Sequence, residues 1–196
     1  MASGALACSV LQFGCSTTGP ASSSSAPAPT TAGHSEAADK KMQVRNNASS
    51  LLEQLLDQEK NVSKLLIIKH GSRELSGLIK AISTTAADGA KRLKGLAQDD
   101  LTLDLTHQEL PVGEKASRDA LGKTEEYDLL MSSGADFEFT LLLTQAEALN
   151  YGSHLAKVAA DNSADIKEAD TFLTMSRTLD QLLTQVKAMM RSIPSK

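Results

Sequence analysis

The sequence predicts an all-α protein: a four-helix bundle of two helical hairpins with a long connection, preceded by a disordered N-terminal tether. Three observations carry this reading. Only 3% of the 196 residues are aromatic and none is Trp, which is thin filling for the pleated faces of a β-sandwich. The apolar 41% is rich in Leu and Ala, residues that lose little on entering a helix. From about Asn47 onward, apolar positions recur at helical spacing.

The first helix is expected from Ser49 or Ser50 to Lys69, with a serine N-cap and Glu53 in the first turn. Its stripe is Leu52, Leu55, Leu56, Val62, Leu65 and Leu66, and Gly71 is a natural stop. The second starts near Ser72. Leu75, Leu78, Ile82, Ala86, Gly89, Leu93 and Leu96 step along it in threes and fours, a bundle seam with a tight middle. Residues 99–113, with Leu110-Pro111 near the end, read as a connection, and a shorter helix is expected over 114–130. The third long helix covers 135–160, with Phe137, Leu141, Leu142, Ala148, Leu149, Leu155, Ala156 and Ala159 inward. Asp161-Asn162-Ser163 supplies the turn and cap before the fourth, whose inner face carries Ile166, Ala169, Phe172, Leu173, Leu179, Leu182, Leu183, Val186 and Met190.

The chain divides into 1–15, a partial signal or lipobox-like segment; 16–48, a disordered linker; and 49–192, the bundle. From Ser16 to Gly33 every residue is Ser, Thr, Ala, Pro or Gly, and the first charged side chain is Glu36. Such a stretch buries too little apolar surface to offset its ordering entropy. Both cysteines precede it, so no disulfide is expected to hold the bundle. Leu11-Gln12-Phe13-Gly14-Cys15 resembles the lipobox of bacterial lipoproteins, with Cys15 as the lipidated residue and Cys8 as the alternative. It departs from that pattern at Gln12 and in lacking a basic n-region. The resemblance implies an exported protein held at the cell envelope, facing the periplasm at the outer membrane.

Leu93-Lys94-Gly95-Leu96-Ala97, Leu110-Pro111, Phe137-Glu138 and Thr144 to Ala160 carry a second resemblance. In the order of its parts the chain is similar to an uncharacterised bacterial family of ferritin-like four-helix bundles, a domain of unknown function whose members are often labelled outer-membrane proteins. Family members often carry histidines on the second, third and fourth helices. Here those stretches read Ser83-Thr84-Thr85-Ala86-Ala87-Asp88, Leu143-Thr144-Gln145 and Asp180-Gln181-Leu182-Leu183, so no activity that needs those histidines is carried over.

A di-iron carboxylate site needs Glu-x-x-His pairs, and the chain has none. The best polar stripe is Glu147, Tyr151 and His154, at i, i+4 and i+7 on one helix face, with Glu59 of the first helix as a facing carboxylate. It reads either as a mononuclear metal or acid–base cluster, or as a hydrogen-bonded structural layer. The second is favoured, because one His and one or two carboxylates fall short of a metal set. His70 caps a helix C-terminus, and His34 and His107 lack ligand neighbours at useful spacing. Lys91, Arg92 and Lys94 form a solvated basic face. A net charge of -4 gives no electrostatic grip on nucleic acid.

The functional expectation is therefore a non-catalytic, lipid-anchored envelope module. It has no cofactor, and its partners are the membrane through the anchor and an envelope protein or peptidoglycan. The alternatives are a ferritin-like metal-binding protein or enzyme centred on Glu59, Glu147, Tyr151 and His154, and a cytosolic bundle that assembles through an apolar helix face.

Overall fold

The computed structural model describes residues 32–106 and 108–193. Cys8, Cys15, the lipobox-like segment, most of the Ser/Thr/Pro stretch and His107 lie outside the described residues, as does the His34 side chain. Among the described residues the regular structure is entirely helical. It comprises α1 (Ala32–Glu59), a 3-10 turn (Val62–Lys64), α2 (Leu65–Ile68), α3 (Arg73–Asp99), α4 (Val112–Met131), α5 (Gly134–Asn162) and α6 (Ile166–Ser192).

One apolar core joins the four long helices. It includes Leu52 and Leu56 of α1, Leu75, Ile79, Ile82 and Leu93 of α3, Phe137, Leu141, Leu142 and Ala156 of α5, and Phe172, Leu179, Leu183 and Val186 of α6. α5 and α6 form the tightest hairpin; α1 lies against α5 and α3, and α3 meets α6. The expected seam of α3 holds, since Leu75, Leu78, Ile82, Ala86, Gly89 and Leu93 are all buried. Ser72 caps α3 by accepting from the Leu75 amide.

Two glycines set how closely α1 approaches. A Cβ on Gly89 would sit 3.0 Å from Leu56 Cδ1, and one on Gly152 only 2.9 Å from Leu55 Cδ2 and 3.2 Å from Leu179 Cδ1. Gly71, expected as a helix stop, acts through contact too: its missing Cβ leaves room for Leu75 Cδ2, 2.8 Å away. Among the described glycines, Gly134 alone has a positive φ, of 57°, at the start of α5.

Four expectations are corrected. The first helix begins at Ala32 rather than at Ser49 or Ser50, so the linker does not extend to residue 48. Ser49 and Ser50 are not caps but fully buried mid-helix residues, their small side chains enclosed in the packed interior. Tertiary packing there overrides the turn preference of Asn46-Asn47-Ala48-Ser49-Ser50. The same helix stops at Glu59 instead of running to Lys69. The Asn61 side chain donates to the Asp57 carbonyl, and Ser83 of α3 donates to the Lys60 carbonyl, which satisfies two groups that the break frees. At α6, Asp165 rather than Asp161-Asn162-Ser163 is the cap, accepting from the Glu168 amide at 2.9 Å. Ile166, expected in the core, consequently lies in the first turn and is 79% exposed.

Glycine substitutions should divide by environment. Gly152→Val should cost about 1–3 kcal/mol through overpacking. Gly77→Ala and Gly95→Ala, with nothing within 4 Å of the new Cβ, should each gain about 0.5–1 kcal/mol of helix propensity. Urea denaturation reads both signs, and destabilisation by the two alanines would contradict the packing described.

Candidate functional site

The expected polar stripe does not come together as one site. Glu147 and His154 lie on the exposed side of α5, and only Tyr151 is half-buried. The inward residues of this stretch are Gln145, Leu149, Gly152, Ser153 and Ala156. Tyr151 instead meets α4. Arg118 Nη1 donates to its hydroxyl at 2.6 Å, and the guanidinium carbon stands 4.8 Å from the ring centroid. Arg118 also donates from Nε to Glu114 at 2.7 Å. That bond, ahead of the cost of burial and the Tyr151 contact, raises the guanidinium pKa. Among the described residues, no group of three or more His, Cys, Asp or Glu is placed to hold a metal ion.

Glu59, the last residue of α1, faces Gln145 of α5 rather than the stripe. Burial pushes its carboxyl up to about 7, against the pull of the Gln145 side chain and with a further push from Glu125 of α4. Burial also raises Glu125, with Glu147 adding to it. Glu59 Oε2 and Gln145 Oε1 are both buried without a hydrogen-bond partner.

The most developed polar constellation lies midway along α1 and was not foreseen. Arg45, only 4% exposed, donates from Nη1 to Asp100 Oδ2 at 2.9 Å and to Glu168 Oε2 at 3.1 Å. Its Nη2 reaches Thr102 Oγ1 at 3.0 Å, and its Nε reaches Asn46 Oδ1 at 3.2 Å. Glu168 on α6 is 5% exposed. Burial pushes its carboxyl up, against the attraction of Arg45. Its Oε1 has no hydrogen-bond partner, and the neighbouring Ser163 hydroxyl donates to the Ala159 carbonyl at 2.9 Å. Asp100 is held low, first by the Thr102 hydroxyl and amide, which donate to Oδ1 at 2.7 and 2.8 Å.

Other side chains of α1 bind the rest of the connection. Asn46 donates to the Thr102 carbonyl at 2.8 Å, and Asn47 accepts from the Glu109 amide at 3.0 Å. Gln43 donates to the Glu109 carboxylate at 2.6 Å, and Gln108 donates to Gln54 at 2.8 Å. Asp104 repeats the Asp100 turn, accepting from the Thr106 amide and hydroxyl at 2.7 Å each. The Asp-Leu-Thr sequence at 100–102 and 104–106 was the available signal for these turns.

Of the basic face on α3, Lys94 pairs with Glu53 at 3.1 Å and with Asp57 at 3.8 Å, while Lys91 and Arg92 are exposed. An open groove of about 510 Å³ lies between α3 and α6, lined by Arg73, Glu74, Gly77, Leu78, Gln185 and Met189. No described helix is long and apolar enough to cross a membrane. Comparison with family models, with characterised proteins and with solved structures gives no match for this chain.

The Arg45 constellation makes a stability prediction. Arg45→Met should destabilise by about 3–5 kcal/mol, because it leaves Glu168 buried without a counter-charge. Adding Glu168→Leu should restore at least half of that loss. Urea denaturation of the two variants checks this, and additive losses would contradict the pairing.

Proposed function

We propose that the chain is a non-catalytic, lipid-anchored module of the bacterial cell envelope that acts by binding or as a structural element. Its four long helices would form a ferritin-like four-helix bundle, in keeping with the resemblance in the order of its parts. One observation carries the proposal. Cys15 closes the apolar segment that begins at Ala5 and is followed at once by an uncharged Ser/Thr/Ala/Pro/Gly spacer. Acyl chains on that cysteine would hold the protein at a bilayer, and several chains on one residue anchor firmly where a single chain does not.

The bundle would then stand off from the membrane. The spacer leads into α1, whose residues 35–44 are exposed and add a helical stem of roughly 15 Å at 1.5 Å per residue. A lipid-anchored module presents its faces to neighbouring envelope protein or peptidoglycan, the two partners this reading favours.

Metabolic labelling with a clickable palmitate analogue in a bacterial host tests the anchor. The full chain should incorporate label, Cys15→Ser should lose it, and Cys8→Ser should keep it. Absence of label in the unaltered chain overturns the proposal, and label lost only in Cys8→Ser moves the anchor to that residue.

A further inference from the structure

The end of the bundle where α1 gives way to α3 carries an apolar tip. α2 is four consecutive apolar residues, Leu65–Ile68. Leu65 and Leu66 pack against the core, and a Cβ on Gly71 would sit 3.5 Å from Leu66 Cδ2. The turn is thereby seated, and its last two side chains face out: Ile67 is 79% exposed and Ile68 70%.

Lys69 joins this turn to the end of α4. Its ammonium donates to the carbonyls of Leu130 and Ser132 at 2.6 and 2.9 Å, the two residues that flank Met131. Leu130 and Met131 are exposed, as is Tyr127 one turn earlier on α4. A single exposed apolar side chain needs no explanation. Several gathered at one end of a bundle mark a surface that takes a partner.

The charges around the tip define that partner. From Lys60 to Arg73 the chain holds Lys60, Lys64, Lys69 and Arg73 and no acid. Lys60 pairs with Asp57, whereas Lys64 and Arg73 are exposed and Lys69 donates to carbonyls rather than to a carboxylate. The bordering acids are Glu74, Asp128 and Glu138, and Glu138 accepts from the Ser72 amide. The opposite end of the bundle differs. Ile166 is as exposed as Ile67, but residues 161–170 hold Asp161, Asp165, Glu168 and Asp170 against the lone cation Lys167.

Exposed isoleucines among lysines suit an anionic bilayer. The apolar side chains enter the boundary between headgroups and acyl chains, while the cationic groups stay at the level of the lipid phosphates. A second copy docked tip to tip would instead set these cations against one another. We propose that the tip formed by α2 and the last turn of α4 docks on an anionic lipid bilayer, with Ile67 and Ile68 inserted and Lys64, Lys69 and Arg73 against the phosphates. This surface uses neither cysteine and is separate from the proposed anchor.

The full chain carrying Cys8→Ser and Cys15→Ser tests the tip without any acyl chain, so failure here is distinct from failure of the anchor. The chain has no Trp, so Ile68→Trp places a single fluorophore at the tip and Ile166→Trp places one at the opposite end. With phosphatidylcholine vesicles containing about one-third phosphatidylglycerol, emission from Ile68→Trp should shift to the blue and be quenched by brominated acyl chains. Emission from Ile166→Trp should do neither. Sedimentation with the same vesicles should weaken about tenfold in Ile67→Ser/Ile68→Ser, and about fivefold when the vesicles are phosphatidylcholine alone. An unshifted tip fluorophore, equal shifts at both ends, or sedimentation indifferent to the two serines overturns the proposal. So does a dimer, seen by light scattering, that the two serines convert to a monomer, because the tip then belongs to a second copy. Should Ile68→Trp fail to fold, Met131→Trp gives the same reading from α4.

Discussion

The Arg45 guanidinium is the constraint on which the arrangement of helices depends. A buried charge is tolerable only when its donors are occupied by acceptors in good geometry. Arg45 meets that demand with groups from three parts of the chain: Asn46 beside it on α1, Asp100 and Thr102 at the start of the connection, and Glu168 in the first turn of α6. The last three of these partners lie 55, 57 and 123 residues away along the chain. Satisfying one guanidinium therefore fixes where α1 stands relative to α6, and where the chain leaves α3. The apolar core supplies the driving force for collapse, but Leu packing on Leu is permissive of small slides, and a forked donor with fixed acceptors is not.

The middle and the C-terminal end of α1 differ in kind. Around Arg45 two carboxylates share one guanidinium, Glu168 Oε1 stays without a donor, and the connection is zipped to Gln43, Asn46, Asn47 and Gln54. The Glu59 end carries an excess of carboxylates and two buried oxygens without donors. The helix that packs there, α4, is also the one with a single buried residue. α1 is thus tied down by an ion-pair network around Arg45, while α4 is held by little apolar burial.

Legibility in the sequence followed the range of the interactions. The α3 seam and the Ser72 cap are local patterns, and both could be read from spacing alone. The inward face of α5 was legible at its Leu and Phe positions but not at Gln145. The step Leu141–Gln145–Leu149, all buried, was the signal that would have placed that amide in the core. Glu147 and His154 share a helical register, yet the buried run through Gly152 and Ser153 turns that register outward. Arg45 falls within the stretch expected as linker, and nothing local announces partners so distant in sequence. The start of α1 was misplaced for the same reason. Ser49 and Ser50 resemble caps in isolation and become core residues only once the other helices cover them.

The most direct test of the central claim is amide protection along α1 itself, measured by native-state hydrogen exchange at a single neutral pH. If Arg45 is the anchor, protection should step up sharply at that residue. Amides from about Arg45 to Leu56 should exchange only with global unfolding, alongside those of α6 around Phe172, while residues 35–44 exchange through local fraying. Protection that begins only near Leu51, with Arg45 to Ser50 exchanging as freely as the stem, would contradict the account and return this segment to the linker.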